Sequence, residues 1–135
     1  KNYRRIPVLG RVPAGIPIEA VEDEVDWEDI GEEFLRTGHE YIGLLVKGDS
    51  MLPNYQDSDV LIVRLQPSAE TGDDAVIFVN GDDATFKRIS RAPNGIHLRP
   101  LNPEYDPLFF TNEEIEELPI RVLGIAVEVR RKLRK

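Results

Sequence analysis

One serine stands where its side chain could act as a nucleophile. Ser50 follows the apolar run Tyr41–Val46 and the turn residues Gly48 and Asp49, and Pro53 closes the turn. This pattern predicts a strand, a sharp bend and an exposed hydroxyl, because glycine permits unusual backbone angles and proline ends the strand. A nucleophilic serine needs that presentation. Gly-Asp-Ser is also a common turn sequence, so the stretch alone does not identify a catalytic serine.

The sequence offers lysine as the base for such a serine. It contains no cysteine, and its only histidines are His39 and His97. Disulfides, thiolate catalysis and a histidine-rich metal site are therefore excluded, and we expect no cofactor. A lysine becomes a base when burial among apolar groups disfavours its ammonium form.

Lys87 is the best candidate for this base. It lies in the largely apolar stretch Ala84–Ile89, whereas Lys47 is too near Ser50 along the chain and the other three lysines lie at the ends. The alternative is that Lys87 and its neighbour Arg88 form an ordinary solvent-facing pair.

A possible substrate lies within the chain itself. The peptide bond between Ala14 and Gly15 joins two of the smallest residues, at a bend between extended segments. A protease that folds its own chain into its active site needs little side-chain bulk at the bond, and glycine permits the kink. An ordinary turn is the alternative interpretation.

The elements that must position these residues are predicted to be mainly strands. Short apolar runs separated by turn residues, with no alternation of strands and long helices, indicate a mostly β domain with little helix, of sandwich or barrel type. The predicted strands cover 6–12, 41–46, 59–65, 75–79, 84–91, 96–99, 108–111 and 120–129. Asn80-Gly81 predicts a hairpin turn. Ile16–Ile18 is predicted to be extended, and 112–117 is predicted to be a solvated bend. Within 19–40 we predict one or two helical turns, because of the spacing of Trp27, Ile30, Phe34 and Leu35.

Charge and hydropathy limit the possible partners. Eight of the 17 basic residues lie at the two ends, which leaves nine basic and 25 acidic residues, a balance of −16, in residues 6–129. Such an acidic body repels phosphate, so we expect no nucleic-acid binding by this chain alone. We expect the basic ends to be frayed and solvated.

No apolar run is long enough to span a membrane and no leader opens the chain, so we expect a cytoplasmic protein.

Several stretches together resemble the LexA and phage-repressor family of self-cleaving proteins. They are Ile6–Pro17, Gly48–Met51, Thr85–Ile89, Leu98–Tyr105 and Leu123–Val127. The 37-residue separation of Ser50 and Lys87 also suits that family. The resemblance covers most of residues 6–129, and the three-part combination of bend, serine and lysine is specific where each part alone is not.

The resemblance implies the β-rich catalytic fold shared with bacterial signal peptidases. It implies Ser50 as nucleophile, Lys87 as neutral general base and the Ala14–Gly15 bond as the cleavage site, with the backbone N–H groups of Ser50 and Met51 as the oxyanion hole. It also implies a homodimer, and cleavage in response to DNA damage, stimulated by the RecA filament on single-stranded DNA. Operator DNA would be bound only through an N-terminal helix-turn-helix domain.

We therefore expect residues 1–135 to form one self-cleaving peptidase and dimerisation domain. Residues 6–20 are the expected cleavage-site segment and 41–129 the catalytic β core, with the DNA-binding domain absent from this chain. Two departures from the family pattern stand out. Pro13 removes a backbone donor just before the cleavage site and is expected to slow cleavage, and Ser58 occupies a turn position where glycine is usual.

Three other functions remain open from the sequence. A UmuD-like subunit of a translesion polymerase would share the domain and its self-processing. A signal peptidase is suggested by Ser50–Pro53, although it would need a membrane anchor. A dimerisation module with an idle serine and lysine is the non-catalytic alternative.

Overall fold

Nine strands and two short helices make up the fold in a computed structural model that describes residues 2–133. The strands are β1 Tyr3–Leu9, β2 Glu24–Gly31, β3 Tyr41–Leu45, β4 Val60–Leu65, β5 Asp74–Val79, β6 Thr85–Ala92, β7 Gly95–Arg99, β8 Leu108–Thr111 and β9 Ile120–Arg130. The helices are α1 Glu32–Leu35 and α2 Asn112–Glu117, and a 3-10 turn covers Ile18–Ala20. The predicted mostly β class with little helix is confirmed.

All nine strands belong to one sheet with the order β2-β1-β3-β4-β9-β5-β6-β7-β8. The central strands β4 and β5 consist almost wholly of buried apolar residues, because apolar side chains cover both of their faces. Asn80 and Gly81 both have positive φ, at 55° and 81°, in the predicted turn between β5 and β6. This hairpin sets Ala75 of β5 opposite Lys87 of β6.

The sheet is strongly curved. Three strands separate β2 from β9 in the strand order, a separation of about 19 Å in a flat sheet with strands about 4.8 Å apart. Arg130 of β9 nevertheless donates to Glu28 of β2 at 2.9 Å. The curvature therefore brings the C-terminal end of β9 close to the edge strand β2.

One of the one or two helical turns predicted within 19–40 is present, as α1, but the prediction is wrong for Trp27 and Ile30. Residues Glu24–Gly31 form strand β2, which pairs antiparallel with β1 along its length. Ile30 is buried beside Ile6 and Phe34, while Trp27 is exposed. The spacing of Trp27 and Ile30 fits a helix, but pairing with β1 satisfies the backbone and decides the structure. Of the four residues on whose spacing the prediction depends, only Phe34 and Leu35 lie in a helix, α1.

Two other local predictions also need correction. Residues Asn112–Glu117, predicted to be a bend, form helix α2, because Thr111 and Glu114 make a capping box at its start. Ile18, predicted to be extended, begins the 3-10 turn. No helix within residues 2–133 has the length and apolar character needed to cross a membrane.

The prediction of frayed basic ends is wrong for several of these residues, although the side chains of Arg5 and Lys132 are solvent-exposed as predicted. Arg131 forms a bidentate pair with the buried Asp59, with both N···O distances at 2.7 Å. Other pairs join basic residues near the ends to acidic residues of β2: Arg5–Asp29 at 3.4 Å, Arg130–Glu28 at 2.9 Å and Lys132–Asp26 at 3.4 Å. Lys1, Arg134 and Lys135 lie outside the described residues.

Candidate active site

A groove contains the predicted serine and lysine together. It lies between the end of β3, the start of β6 and residues 10–12, which precede the predicted cleavage bond. Its lining includes apolar side chains around the two polar groups: Val12, Leu44, Val46, Met51, Leu61, Ala84 and Phe86, with Ser50 and Lys87. We call it the Ser50 groove. An apolar lining lowers the local dielectric and so strengthens the effect of each polar group.

The bend before Ser50 has the geometry that the sequence predicts. Gly48 has a φ of +83°, which glycine adopts without steric cost. Its N–H donates to the Asp57 carboxylate at 2.7 Å. The N–H of Ser58 donates to the Val46 carbonyl at 2.8 Å, which closes the loop that carries the serine. We call residues 48–55 the serine turn.

Asp59 anchors the base of this loop. Its side chain is 1% exposed, and its Oδ2 accepts the N–H of Gln56 at 2.8 Å. Its carbonyl accepts the N–H of Val46 at 2.8 Å. Hydrogen bonds from Arg131 lower the pKa of Asp59, against the opposing effect of burial. The carboxylate therefore stays ionised and keeps the loop tied to the C-terminal residues.

The loop between β7 and β8 supports the serine turn from another side. Asn102 is buried, its N–H donates to the Ser50 carbonyl at 3.0 Å, and its Nδ2 donates to the Asp49 carbonyl at 3.0 Å. The Tyr105 hydroxyl donates to the Asp49 carboxylate. These contacts fix the backbone on both sides of the Asp49–Ser50 peptide.

Replacing Ser58 with glycine should stabilise the protein slightly. Ser58 has a φ of +76°, a conformation that costs an L side chain roughly 1–2 kcal/mol. Glycine removes this strain but makes the unfolded chain more flexible, so we expect a net gain of about 0.5 kcal/mol in unfolding free energy. Urea denaturation measures it. Asn80→Gly is a matched control with a smaller expected gain, because asparagine tolerates positive φ. A less stable Ser58→Gly protein would contradict the prediction.

Lys87 meets Ser50 inside the groove. Its Nζ lies 3.4 Å from Ser50 Oγ and 3.1 Å from Thr85 Oγ1. The side chain is partly buried, and burial lowers the pKa of Lys87 below that of an ordinary lysine. The neighbouring Arg88 instead binds the carboxylate of Asp74 at 2.7 Å. Lys87 and Arg88 therefore do not form the solvent-facing pair that was the alternative interpretation.

The predicted oxyanion donors have no hydrogen-bond acceptor in the described part of the protein. Within residues 2–133 the N–H groups of Ser50 and Met51 donate to no protein acceptor, whereas the next N–H, of Leu52, donates to Asp49 at 3.2 Å. Unpaired N–H groups beside a nucleophile are the donors that a developing oxyanion needs.

The segment before the predicted cleavage bond is already seated in the groove. Val12 is 1% exposed, and its carbonyl accepts the N–H of Ala84 at 2.9 Å. Arg11 donates to the Asp83 carboxylate, with its Nε at 2.6 Å from Oδ2. Ala14 packs partly buried against the same apolar cluster as Val12, and Gly15 lies in an exposed turn with a φ of +82°.

The structure thus unites some of the predicted site residues and leaves others apart. Ser50, Met51 and Lys87 line one groove. Ala14 and Gly15 come shortly after the lining residues 10–12 in the chain, but they are not among the described residues that line the groove. The predictions missed Asn102, Asp59 and Thr85. Thr85 could have been found, because a residue two positions before Lys87 on a strand points to the same face.

Comparison with known proteins assigns the class. The profile of the family described as Peptidase S24-like matches residues 7–127. The chain belongs to this family and is a serine-peptidase-type domain.

The relatives give a finer comparison. The LexA repressor of Thermotoga petrophila is 38% identical over 130 residues, which cover 96% of this chain and 63% of that protein. The LexA repressor of Lacticaseibacillus casei is 35% identical over 127 residues, 93% of this chain and 58% of that protein. The resemblance to a LexA-like domain is therefore confirmed, and the chain spans about three-fifths of the length of these relatives.

Proposed function

We propose that this chain is the self-cleaving domain of a LexA-like repressor and cuts its own Ala14–Gly15 bond. The observation that carries the proposal is the 3.4 Å contact between Lys87 Nζ and Ser50 Oγ, in a groove that also holds residues 10–12 of the same chain. Lys87 is the general base because burial favours its neutral amine, and only a neutral amine can accept a proton.

In the first half of the reaction, Ser50 Oγ attacks the Ala14 carbonyl carbon and its proton passes to Lys87 Nζ. The carbonyl oxygen becomes an oxyanion that accepts hydrogen bonds from the N–H groups of Ser50 and Met51. When this intermediate collapses, the bond from Ala14 to the Gly15 nitrogen breaks. The ammonium of Lys87 returns its proton to that nitrogen, which leaves as an amine.

The second half releases the enzyme from its acyl form. Lys87, neutral again, takes a proton from water, and the resulting hydroxide attacks the Ser50–Ala14 ester. The ester bond breaks, Ser50 Oγ takes the proton back from Lys87, and Ala14 is released as a carboxylic acid that gives its proton to water. Because substrate and nucleophile share one chain, tethering supplies the high effective concentration that positions the bond.

Cleavage requires a local rearrangement after Val12. Two residues span about 7 Å when extended, so the Ala14 carbonyl can reach the groove by a shift of residues 13–16 while Val12 stays in place. Gly15 is exposed, so no packed side chain has to be displaced at this position for the shift. Pro13 donates no backbone hydrogen bond to such a docked strand and is expected to slow the reaction.

The LexA relatives favour the repressor over a UmuD-like subunit or a signal peptidase as the parent protein. In this proposal, residues 1–135 are one peptidase and dimerisation domain, with 6–20 as cleavage segment and 41–129 as catalytic core. A homodimer would place two N-terminal domains on a two-fold operator. A RecA filament on single-stranded DNA would stimulate cleavage after DNA damage and so lift repression.

Incubation of the purified chain across a range of alkaline pH tests the proposal. We expect fragments 1–14 and 15–135, identified by mass. Their rate of formation should rise about tenfold per pH unit and then level off as Lys87 becomes neutral. The midpoint should fall below 10.5, the ordinary value for lysine, because burial lowers the pKa of Lys87. An intact mass after long incubation at pH 10 would exclude self-cleavage.

A further inference from the structure

Tyr55 joins the serine turn to the strand that carries the lysine. Its N–H donates to the Met51 carbonyl at 3.1 Å, so it is part of the same compact turn as Ser50. Its ring meets Phe86 edge-to-face, with the ring centres 4.8 Å apart and the planes at 82°. Phe86 is the residue directly before Lys87.

The hydroxyl of Tyr55 makes a second contact with the lysine region. It donates to Asp74 Oδ2 at 2.5 Å, and Asp74 is only 9% exposed. The Asp74 carboxylate also accepts two bonds from Arg88, at 2.7 and 3.0 Å. Arg88 is the residue directly after Lys87, and it lies opposite Asp74 in the β5–β6 pairing. Both neighbours of Lys87 are thus connected to Tyr55.

These contacts attach the serine turn to strand β6 at the residues that flank Lys87. Tyr55 contacts Phe86 directly, and it reaches Arg88 through Asp74. Ser50 of the same turn meets Lys87 itself, in the groove that Phe86 also lines. The serine turn is therefore connected to three consecutive residues of β6, and this arrangement sets the distance between nucleophile and base.

We propose that Tyr55 is a positioning residue, whose hydroxyl bond to Asp74 holds Ser50 within reach of Lys87. This inference rests on the proposed self-cleavage where it is tested by the cleavage rate. A second test, the reaction of Ser50 with a small reagent, does not depend on self-cleavage. A hydrogen bond to a buried carboxylate is stronger than one between neutral groups. Burial and the Asp74 carboxylate raise the pKa of Tyr55, so its hydroxyl remains a donor at the alkaline pH of the cleavage assay.

The variant Tyr55→Phe tests this role, because it removes the hydroxyl and keeps the ring on Phe86. We expect the self-cleavage rate to fall about tenfold at every pH, with the midpoint of the pH profile unchanged, because a misplaced nucleophile slows the chemical step without changing the burial of Lys87. We expect the reaction of Ser50 with a small fluorophosphonate, followed by mass, to slow by a similar factor. This second readout does not require the cleavage segment to dock.

Tyr41→Phe is the matched control. The Tyr41 hydroxyl also has a hydrogen-bond partner, Thr37 Oγ1 at 2.9 Å, and Tyr41 is buried in a different apolar cluster. Both variants lose one hydroxyl bond, so both should lose stability in urea denaturation, Tyr55→Phe somewhat more because its bond is to a carboxylate. Only Tyr55→Phe should slow cleavage and phosphonylation under conditions where the protein remains folded. Rates within twofold of the unmodified chain in folded Tyr55→Phe would overturn the proposal.

A second variant changes the acceptor of the same hydrogen bond, Asp74. Asp74→Asn weakens the contact to Tyr55, and its effect on phosphonylation should be smaller in the Tyr55→Phe background than in the unmodified chain, since the two changes act on one bond. Additive effects would overturn the proposal. If the unmodified chain releases no fragment but its Ser50 is phosphonylated, self-cleavage fails and phosphonylation alone decides the role of Tyr55. An inert Ser50 would overturn both.

Discussion

Replacement of Lys87 by methionine should abolish release of fragment 1–14. Methionine occupies a similar volume in the Ser50 groove but cannot accept the proton of Ser50. General base catalysis contributes roughly 10²–10⁴ in rate, so we expect a loss of about a thousandfold, measured by mass at the pH where the unmodified chain is fastest. Ser50→Ala should lose at least as much, since it removes the nucleophile.

Lys47→Met is the matched control for this loss. Lys47 also lines the groove and lies nearer to Ser50 along the chain, but it is exposed. Its replacement should leave the cleavage rate within a few-fold of the unmodified chain. Urea denaturation should show Lys87→Met to be at least as stable as the unmodified chain, because methionine removes the cost of burying an amine. Cleavage by Lys87→Met at the original rate would show that another group is the base.

Gly124→Ala should cause a large loss of stability. Gly124 lies in β9 between β4 and β5, opposite Leu65 and Val76. A Cβ atom there would lie 2.3 Å from the Arg64 carbonyl oxygen and 2.9 Å from Val63 Cγ1. The backbone of a central strand cannot move without disturbing its neighbours, so we expect a decrease of about 3 kcal/mol in unfolding free energy. Urea denaturation measures it.

Gly31→Ala is the corresponding control at the edge of the sheet. A Cβ atom at Gly31 would meet the carboxylate of Glu33, 2.7 Å from its Oε1. Glu33 is exposed and its side chain can rotate away, so the change should be within about 0.5 kcal/mol of neutral. Equal losses at both glycines would show that close packing between β4 and β9 is not the cause.

The sequence determined the local features of the site. Gly48 predicted the bend, the apolar run before it predicted β3, and Asn80-Gly81 predicted the hairpin that leads into the lysine strand. These features depend on residues that are near each other in the chain, so their turn chemistry and side-chain alternation can be read directly. The mostly β class was predictable for this reason. The serine and the lysine were singled out only by the combined resemblance of several stretches, since each stretch alone also fits an ordinary turn or a solvent-facing pair.

The tertiary structure decided which of these residues meet. The 3.4 Å contact between Ser50 and Lys87, the Asn102 support and the Tyr55–Asp74 bond all join residues far apart in sequence. The strand at 24–31 likewise depends on pairing with β1, which overrides a spacing that suits a helix. Local propensity is worth only fractions of a kcal/mol per residue, whereas pairing and burial across the sheet act over whole strands. The sequence therefore specified the chemical groups, and the curved sheet specified their contacts.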